Sequence, residues 1–235
     1  MAKSGRPVKH GIAGSSLTRQ TVIRVKTAKR RSAASTRWLA RQLNDPYVGE
    51  AKRQGYRSRA AFKLLQLDDR FHLLRPGRRI VDLGCAPGGW TQVAVERAKP
   101  TQGAVIGIDI LPMDAVPGAT VIELDFLVPS AADRLKVLLS GPADVVLNDM
   151  AAPTTSHAAT DHIRIVALAE AAYEFAFEVL APGGAFLCKV FQGGAEGALL
   201  AALKRDFKTV RHAKPPASRA ESAEVYVVAT GFRGK

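Results

Sequence analysis

The run Asp82-Leu83-Gly84-Cys85-Ala86-Pro87-Gly88-Gly89-Trp90 is the part of this chain best equipped to hold a small ligand. It follows the apolar stretch Arg79-Ile80-Val81 and opens a segment of helical character from Thr91 to Ala98. A strand that ends in a glycine-rich turn and feeds a helix is a nucleotide-cofactor cradle. The glycines let the main chain pass close to a ligand, and the helix N-terminus offers unpaired N–H groups. Two more acids stand at strand ends: Asp109 closes Val105–Ile108, and Asp125 follows Val121–Leu124. In a parallel sheet Asp82, Asp109 and Asp125 all reach the carboxyl edge, where ligands bind. An acid ending the second strand is placed to accept both hydroxyls of a ribose. One after the third strand is placed to accept from an adenine amino group.

Two cofactors compete for such a cradle. Gly84-Cys85-Ala86-Pro87-Gly88-Gly89 loosely matches the G-x-A-x-x-G of NAD sites, a weak signal by itself. Pro87 stiffens the turn and removes one N–H donor from a loop that would have to hold a pyrophosphate. Asp82 sets a carboxylate near the pocket, which repels a diphosphate and suits a cation. S-adenosyl-L-methionine carries a sulfonium, an ammonium and a ribose without any phosphate, and it is the cofactor expected here, with Asp82, Gly84 and Pro87 beside it. No metal site is expected.

The fourth and fifth strands carry the residues that would select a methyl acceptor. Leu147-Asn148-Asp149-Met150-Ala151-Ala152-Pro153 contains neither the Asn-Pro-Pro-aromatic motif of amino-group methylation nor the Pro-Cys of cytosine C5 methylation. Lys189 ends the fifth strand between apolar neighbours, and it is the sole Lys or Arg between Arg164 and Lys204. A surface role does not account for a lysine in that setting.

These residues need a scaffold, and the chain provides an alternating one. Strands are predicted at 79–83, 104–109, 120–124, 143–148, 184–190, 208–213 and 224–230. Helices are predicted at 89–98, 130–139, 162–180 and 196–206, with Pro/Gly breakers between. The fold class is α/β, a Rossmann-like, mostly parallel sheet with helices on both faces. The last two strands lack a helix between them and must run antiparallel. Upstream, Trp38, Leu39 and Leu43 predict a short helix broken near Asn44-Asp45-Pro46-Tyr47. Ser58 is the expected N-cap of a helix from Arg59 to Phe71.

Composition bounds the partners. All of the net charge of +13 lies in residues 1–60, and residues 61–235 are balanced. That asymmetry points to a polyanion, above all nucleic acid. Residues 1–32 read as a basic, disordered arm and 33–235 as the folded domain. Arg30, Arg31, Arg37, Arg57 and Arg59 are the expected phosphate contacts, and Trp38 and Tyr56 are candidates for stacking on bases or for packing on the domain. No apolar run approaches the ~20 residues of a membrane span. A signal-peptide core is also missing, so a cytoplasmic protein is expected; a monomer is expected as well. Cys85 and Cys188 read as small buried residues rather than a redox pair.

The stretches RSAASTRWL, RSRAAFKL, VDLGCAPGGWTQ, DILPMD, NDMAAP, CKVFQGG and SRAESAEVYVVATG together resemble the FtsJ family of ribosomal RNA 2′-O-methyltransferases, the RrmJ or RlmE type. They span Arg31 to Gly231, nearly all of the globular part. The resemblance implies a seven-stranded methyltransferase sheet and a Lys-Asp-Lys-Glu tetrad at Lys63, Asp149, Lys189 and Glu224. It also implies cofactor contacts from Gly88, Trp90, Asp109, Asp125 and Asp149, and a uridine 2′-hydroxyl in large-subunit 23S rRNA as substrate. Relatives with the same tetrad act on mRNA caps or tRNA, and a non-catalytic assembly factor is the alternative from another class. On this reading Lys189 is the base or steers the 2′-oxygen, Asp149 orients Lys189 and the methyl donor, and Lys63 and Glu224 hold the network and the ribose. Cys85 stands where the family commonly has alanine, and the N-terminal arm extends beyond the compact bacterial form.

Overall fold

The computed structural model describes residues 23–27, 30–99, 104–153, 155, 157–192 and 197–234. The strands are β1 (Ile80–Leu83), β2 (Val105–Asp109), β3 (Thr120–Glu123), β4 (Ala143–Asn148), β5 (Leu180–Phe191), β6 (Phe207–Ala213) and β7 (Glu224–Phe232). They form one seven-stranded sheet in the order β3-β2-β1-β4-β5-β7-β6. From β3 to β5 every pairing is parallel, whereas β7 is antiparallel to both β5 and β6. This is the expected α/β architecture. Strand order reverses at β1 and β4, so the crevice beyond their carboxyl ends is the natural ligand site.

Helices α1 (Ala33–Leu43), α2 (Pro46–Gln54), α3 (Ala61–Phe71), α4 (Gly89–Ala98), α5 (Ser130–Leu139), α6 (Ala158–Val179) and α7 (Gly197–Asp206) complete the fold. Three of them depart from the sequence reading. The Asp45-Pro46 break starts a new helix, α2: Asp45 caps it by accepting from the Tyr47 amide, and Pro46 sits in the first turn, where its missing N–H costs nothing. Ser58 does not cap α3, which begins at Ala61 without a side-chain cap. Helix α6 begins four residues earlier than expected, at Ala158. Strand β5 also starts early, and a register shift opposite Ala143–Val145 absorbs Pro182-Gly183-Gly184. Most of the expected arm, and the Gly193-Gly194 turn, lie outside the described residues.

The sheet buries both faces. Ile80, Val105, Val145, Leu147, Ala185, Leu187 and Val228 meet α3 and α4. Val81, Leu83, Ile106, Val146, Phe186 and Val190 meet α5, α6 and α7. Side chains alternate with period two along a strand. Continuing the first set two residues at a time therefore brings Asp82, Asp149, Lys189, Tyr226 and Glu224 onto the α3/α4 face. Asn148 pairs with Cys188 in parallel register and Lys189 with Tyr226 in antiparallel register, so Asp149, Lys189 and Tyr226 stand side by side across three strands.

Candidate active site

The glycine-rich turn is held by its own backbone and by the acids around it. Gly84 and Gly88 have φ of +79° and +109°, conformations that favour glycine. A side chain at Gly84 would meet the Met150 backbone at 2.7 Å. Asp109 accepts from the amides of Ala86 (2.8 Å) and Leu111 (2.9 Å), which ties the turn to the end of β2. Asp125 is exposed after β3 and accepts from the Leu127 amide at 2.9 Å. Exposed Pro87 follows Cys85, whose buried side chain lies against Gly107 and Met113. Trp90 turns its indole into the core, donating to the Ala60 carbonyl at 2.9 Å and packing on Tyr226.

Asp82 is fully buried beneath this turn. One carboxylate oxygen accepts from Thr91 at 2.7 Å, and the other has no hydrogen-bond partner among the described residues. Ser58 Oγ, packed against Gly89 at the start of α4, is also buried and unpartnered. Burial, aided by the charges of Asp149 and Asp109, pushes the Asp82 carboxyl up to about 7 against the pull of Thr91. The native state therefore keeps a proton that the unfolded chain gives up near pH 4. Stability of the ligand-free protein should fall as pH rises from about 4 to 7 through this group, with no further contribution from it above 7. Asp82→Asn should flatten that part of a melting-temperature profile, and a variant with the wild-type slope would show that another group controls it.

The four expected acceptor-site residues form two ion pairs. Lys189 Nζ lies 3.1 Å from Asp149 Oδ1 and donates to the Asp149 carbonyl at 2.5 Å. Lys63 Nζ meets Glu224 Oε2 at 2.7 Å. Both lysines are buried, with 8% of Lys63 and 6% of Lys189 exposed. Tyr226, which the sequence reading did not single out, joins the pairs: its hydroxyl donates to Asp149 Oδ1 at 3.0 Å, and its ring lies 5.8 Å from Lys63 Nζ. Desolvation, reinforced by Asp149 and Glu224, holds the Tyr226 phenol well above its ordinary range, so it stays a donor. The signal for Tyr226 was present, since it lies two residues beyond Glu224 on the same strand face.

The arginines divide into two groups. Arg30, Arg31 and Arg37 are exposed at or before α1, Arg31 donating to Thr27 Oγ1 at 2.9 Å. Arg57 and Arg59 are half-buried, and both guanidinium groups hydrogen-bond within the chain. Arg57 donates to the carbonyls of Asp114 and Ala115 at 2.6 Å each, holding the β2–β3 loop over Gly88. Arg59 pairs with Asp45 at 2.7 Å and donates to the Ala217 carbonyl at 2.5 Å. Tyr56 packs edge-on to Phe62 and donates to Glu96 at 2.6 Å, the packing alternative to base stacking. Trp38 falls in α1, and its side chain lies outside the described ones.

A glycine-rich turn at the sheet's switch point, with lysine–acid pairs on the same edge, places the chain among the α/β methyltransferases. Residues 56–232 match the model of the FtsJ-like methyltransferases, and the chain belongs to that family. It is 65% identical to the ribosomal RNA large subunit methyltransferase E of Paramagnetospirillum magneticum, over 98% of this chain and 96% of the relative. Its identity to the protein of the same name from Parvibaculum lavamentivorans is 60%, over 100% and 96%. Among solved structures it resembles a Plasmodium falciparum protein assigned as a ribosomal RNA methyltransferase, at 33% identity and a TM-score of 0.69, over 77% of this chain and all of that one. The protein is thus an enzyme that takes a methyl group from a donor. No helix among the described residues is long and apolar enough to cross a membrane.

Proposed function

We propose that this chain uses S-adenosyl-L-methionine to methylate the 2′-oxygen of a uridine ribose in 23S rRNA, acting as a cytoplasmic monomer on the large ribosomal subunit late in its assembly. The observation that carries this reading is the pair of buried lysine–acid contacts on the sheet edge that also holds the glycine-rich turn. The large-subunit rRNA named in its relatives supplies the substrate class.

The donor fits the residues present. The unpartnered Asp82 oxygen is suited to a cation, Ser58 Oγ and the first amides of α4 to polar groups beside it, and Asp109 and Asp125 to a ribose and an adenine. A pyrophosphate would meet Asp82 and would lack the amide that Pro87 cannot supply. When bound, S-adenosyl-L-methionine supplies a methyl carbon activated by its sulfonium.

The chain's own residues act on the other reactant. A ribose hydroxyl is a poor nucleophile, and in-line attack makes its placement a large part of the work. Lys189 steers the 2′-oxygen and is the group positioned to receive its proton, with Asp149 fixing the amine through two contacts. Lys63, fixed by Glu224, holds the ribose side. Tyr226 keeps the two pairs in one register.

Mapping 2′-O-methyl sites in rRNA from cells with and without this protein tests the assignment. Loss of one uridine methylation in 23S rRNA is expected, and an unchanged map would refute it. The basic arm is proposed to position RNA through phosphates. Removing residues 1–30 deletes eight of the 34 Lys and Arg residues. For every phosphate that the shortened chain no longer neutralises, the slope of log affinity against log salt should shrink by roughly 0.7 to 0.9. An unchanged slope would make the arm a bystander.

A further inference from the structure

Ser218 is a buried side chain that the chemistry above leaves unused. It lies in the connection between β6 and β7, six residues before Glu224. Its hydroxyl donates to Glu224 Oε1 at 2.8 Å, while Lys63 holds Oε2 at 2.7 Å. Each carboxylate oxygen therefore has its own donor, and the two together fix the rotation of the group.

The hydroxyl is itself held in place. The Ser218 amide donates to the Pro215 carbonyl at 2.8 Å, and the Ala217 amide donates to Gln66 Oε1 at 2.7 Å. Arg59 donates to the Ala217 carbonyl, and Arg219 reaches Asp45 at 3.4 Å, the same carboxylate that caps α2 and pairs with Arg59. Gln66 and Lys63 lie three apart on α3, hence on one face. One helix thus grips Glu224 directly and also grips the connection whose serine holds the other oxygen.

We propose that Ser218 is a positioning residue of the methyl-acceptor site, acting through Glu224 to present the Lys63 ammonium to the ribose in one orientation. The proposal rests on the reading of the Lys63–Glu224 pair as part of that site. Without the hydroxyl, one carboxylate oxygen loses its partner, the group rotates, and Lys63 follows it. Substrate would still bind, but fewer encounters would have the ribose correctly placed.

The test is a double-mutant cycle on large ribosomal subunits that lack the modification. Wild type, Ser218→Ala, Glu224→Ala and the double variant are compared for kcat, donor Kd and melting temperature. Ser218→Ala should lower kcat about tenfold, the size of a lost hydrogen bond to a charged group, with donor Kd unchanged. In the Glu224→Ala background the same change should have no further effect on kcat. Ser218→Cys, which keeps the shape with a weak donor, should reproduce the kcat loss at near-native melting temperature, and it carries the test if the alanine variant does not fold. An unchanged kcat in Ser218→Cys, or an equal loss with and without Glu224, would overturn the role of Ser218. Normal turnover by Glu224→Ala would instead refute the acceptor-site reading.

Discussion

Replacing Lys189 with alanine should reduce methyl transfer by about three orders of magnitude, within the range seen when a proton-transfer or charge-stabilising group is removed. The loss should fall on kcat, because Lys189 is proposed to act on the methyl acceptor rather than on the donor. Donor affinity should stay near wild type, since the residues around the turn, Asp82, Gly84, Gly88 and Asp109, are untouched. Lys63, the other lysine of the site among the described residues, is not a ready substitute. Lys63 is committed to Glu224, and no Lys or Arg occurs between Arg164 and Lys204 except Lys189 itself. Arginine should not rescue, because its planar, permanently charged group cannot accept a proton. Asp149 keeps its bond from Tyr226 in the variant, which limits the cost of leaving that acid unpaired. Single-turnover assays with donor titration would decide the matter. Turnover within a few-fold of wild type would remove Lys189 from the chemistry.

The second large effect is expected from Gly84→Ala. Two costs combine there. At φ +79° an added Cβ is strained by ~1–2 kcal/mol. The same Cβ would lie 2.7 Å from the Met150 amide nitrogen and Cα, which are backbone and cannot swing aside. Overpacking of that kind adds ~1–3 kcal/mol, enough to lower the melting temperature by about 10 °C. Relief by moving Met150 would displace Asp149 next to it, so kcat and donor affinity should fall together. Gly77→Ala is the matched control: φ is +82°, but nothing lies within 4 Å of the new Cβ. It should show the backbone strain alone, with activity intact. Equal effects at the two positions would mean that the contact with Met150 has no consequence.

The strands were legible because their signal is local. Short apolar runs between Pro/Gly breakers place β1 to β4 almost residue by residue, and the acids at their ends follow from the parallel topology. Helix α2 was hidden because Asp45-Pro46 is chemically ambiguous: the same pair ends one helix and starts another. Arg57 and Arg59 show a different limit. Their carbonyl partners lie 57 to 58 and 158 residues away, and composition reports that a basic residue exists, not which carbonyls the fold brings to it. The tetrad positions came from resemblance. Their division into two pairs, with Tyr226 between and Ser218 behind, depends on the antiparallel register of β7, which only the assembled sheet defines.

The place of β7 in the sheet has a consequence for how the enzyme is made. β7 is the last strand in the chain, yet it lies between β5 and β6. During synthesis the proposed donor half, from the glycine turn through Asp125, emerges about a hundred residues before Glu224 and Tyr226, a delay of roughly 5–20 seconds at ordinary translation rates. Until then β5 presents an unpaired edge carrying Lys189, open to wrong partners. A premature stop after β5 and before residue 224 therefore leaves a chain with the proposed donor-side residues, no complete acceptor edge and an exposed template for aggregation.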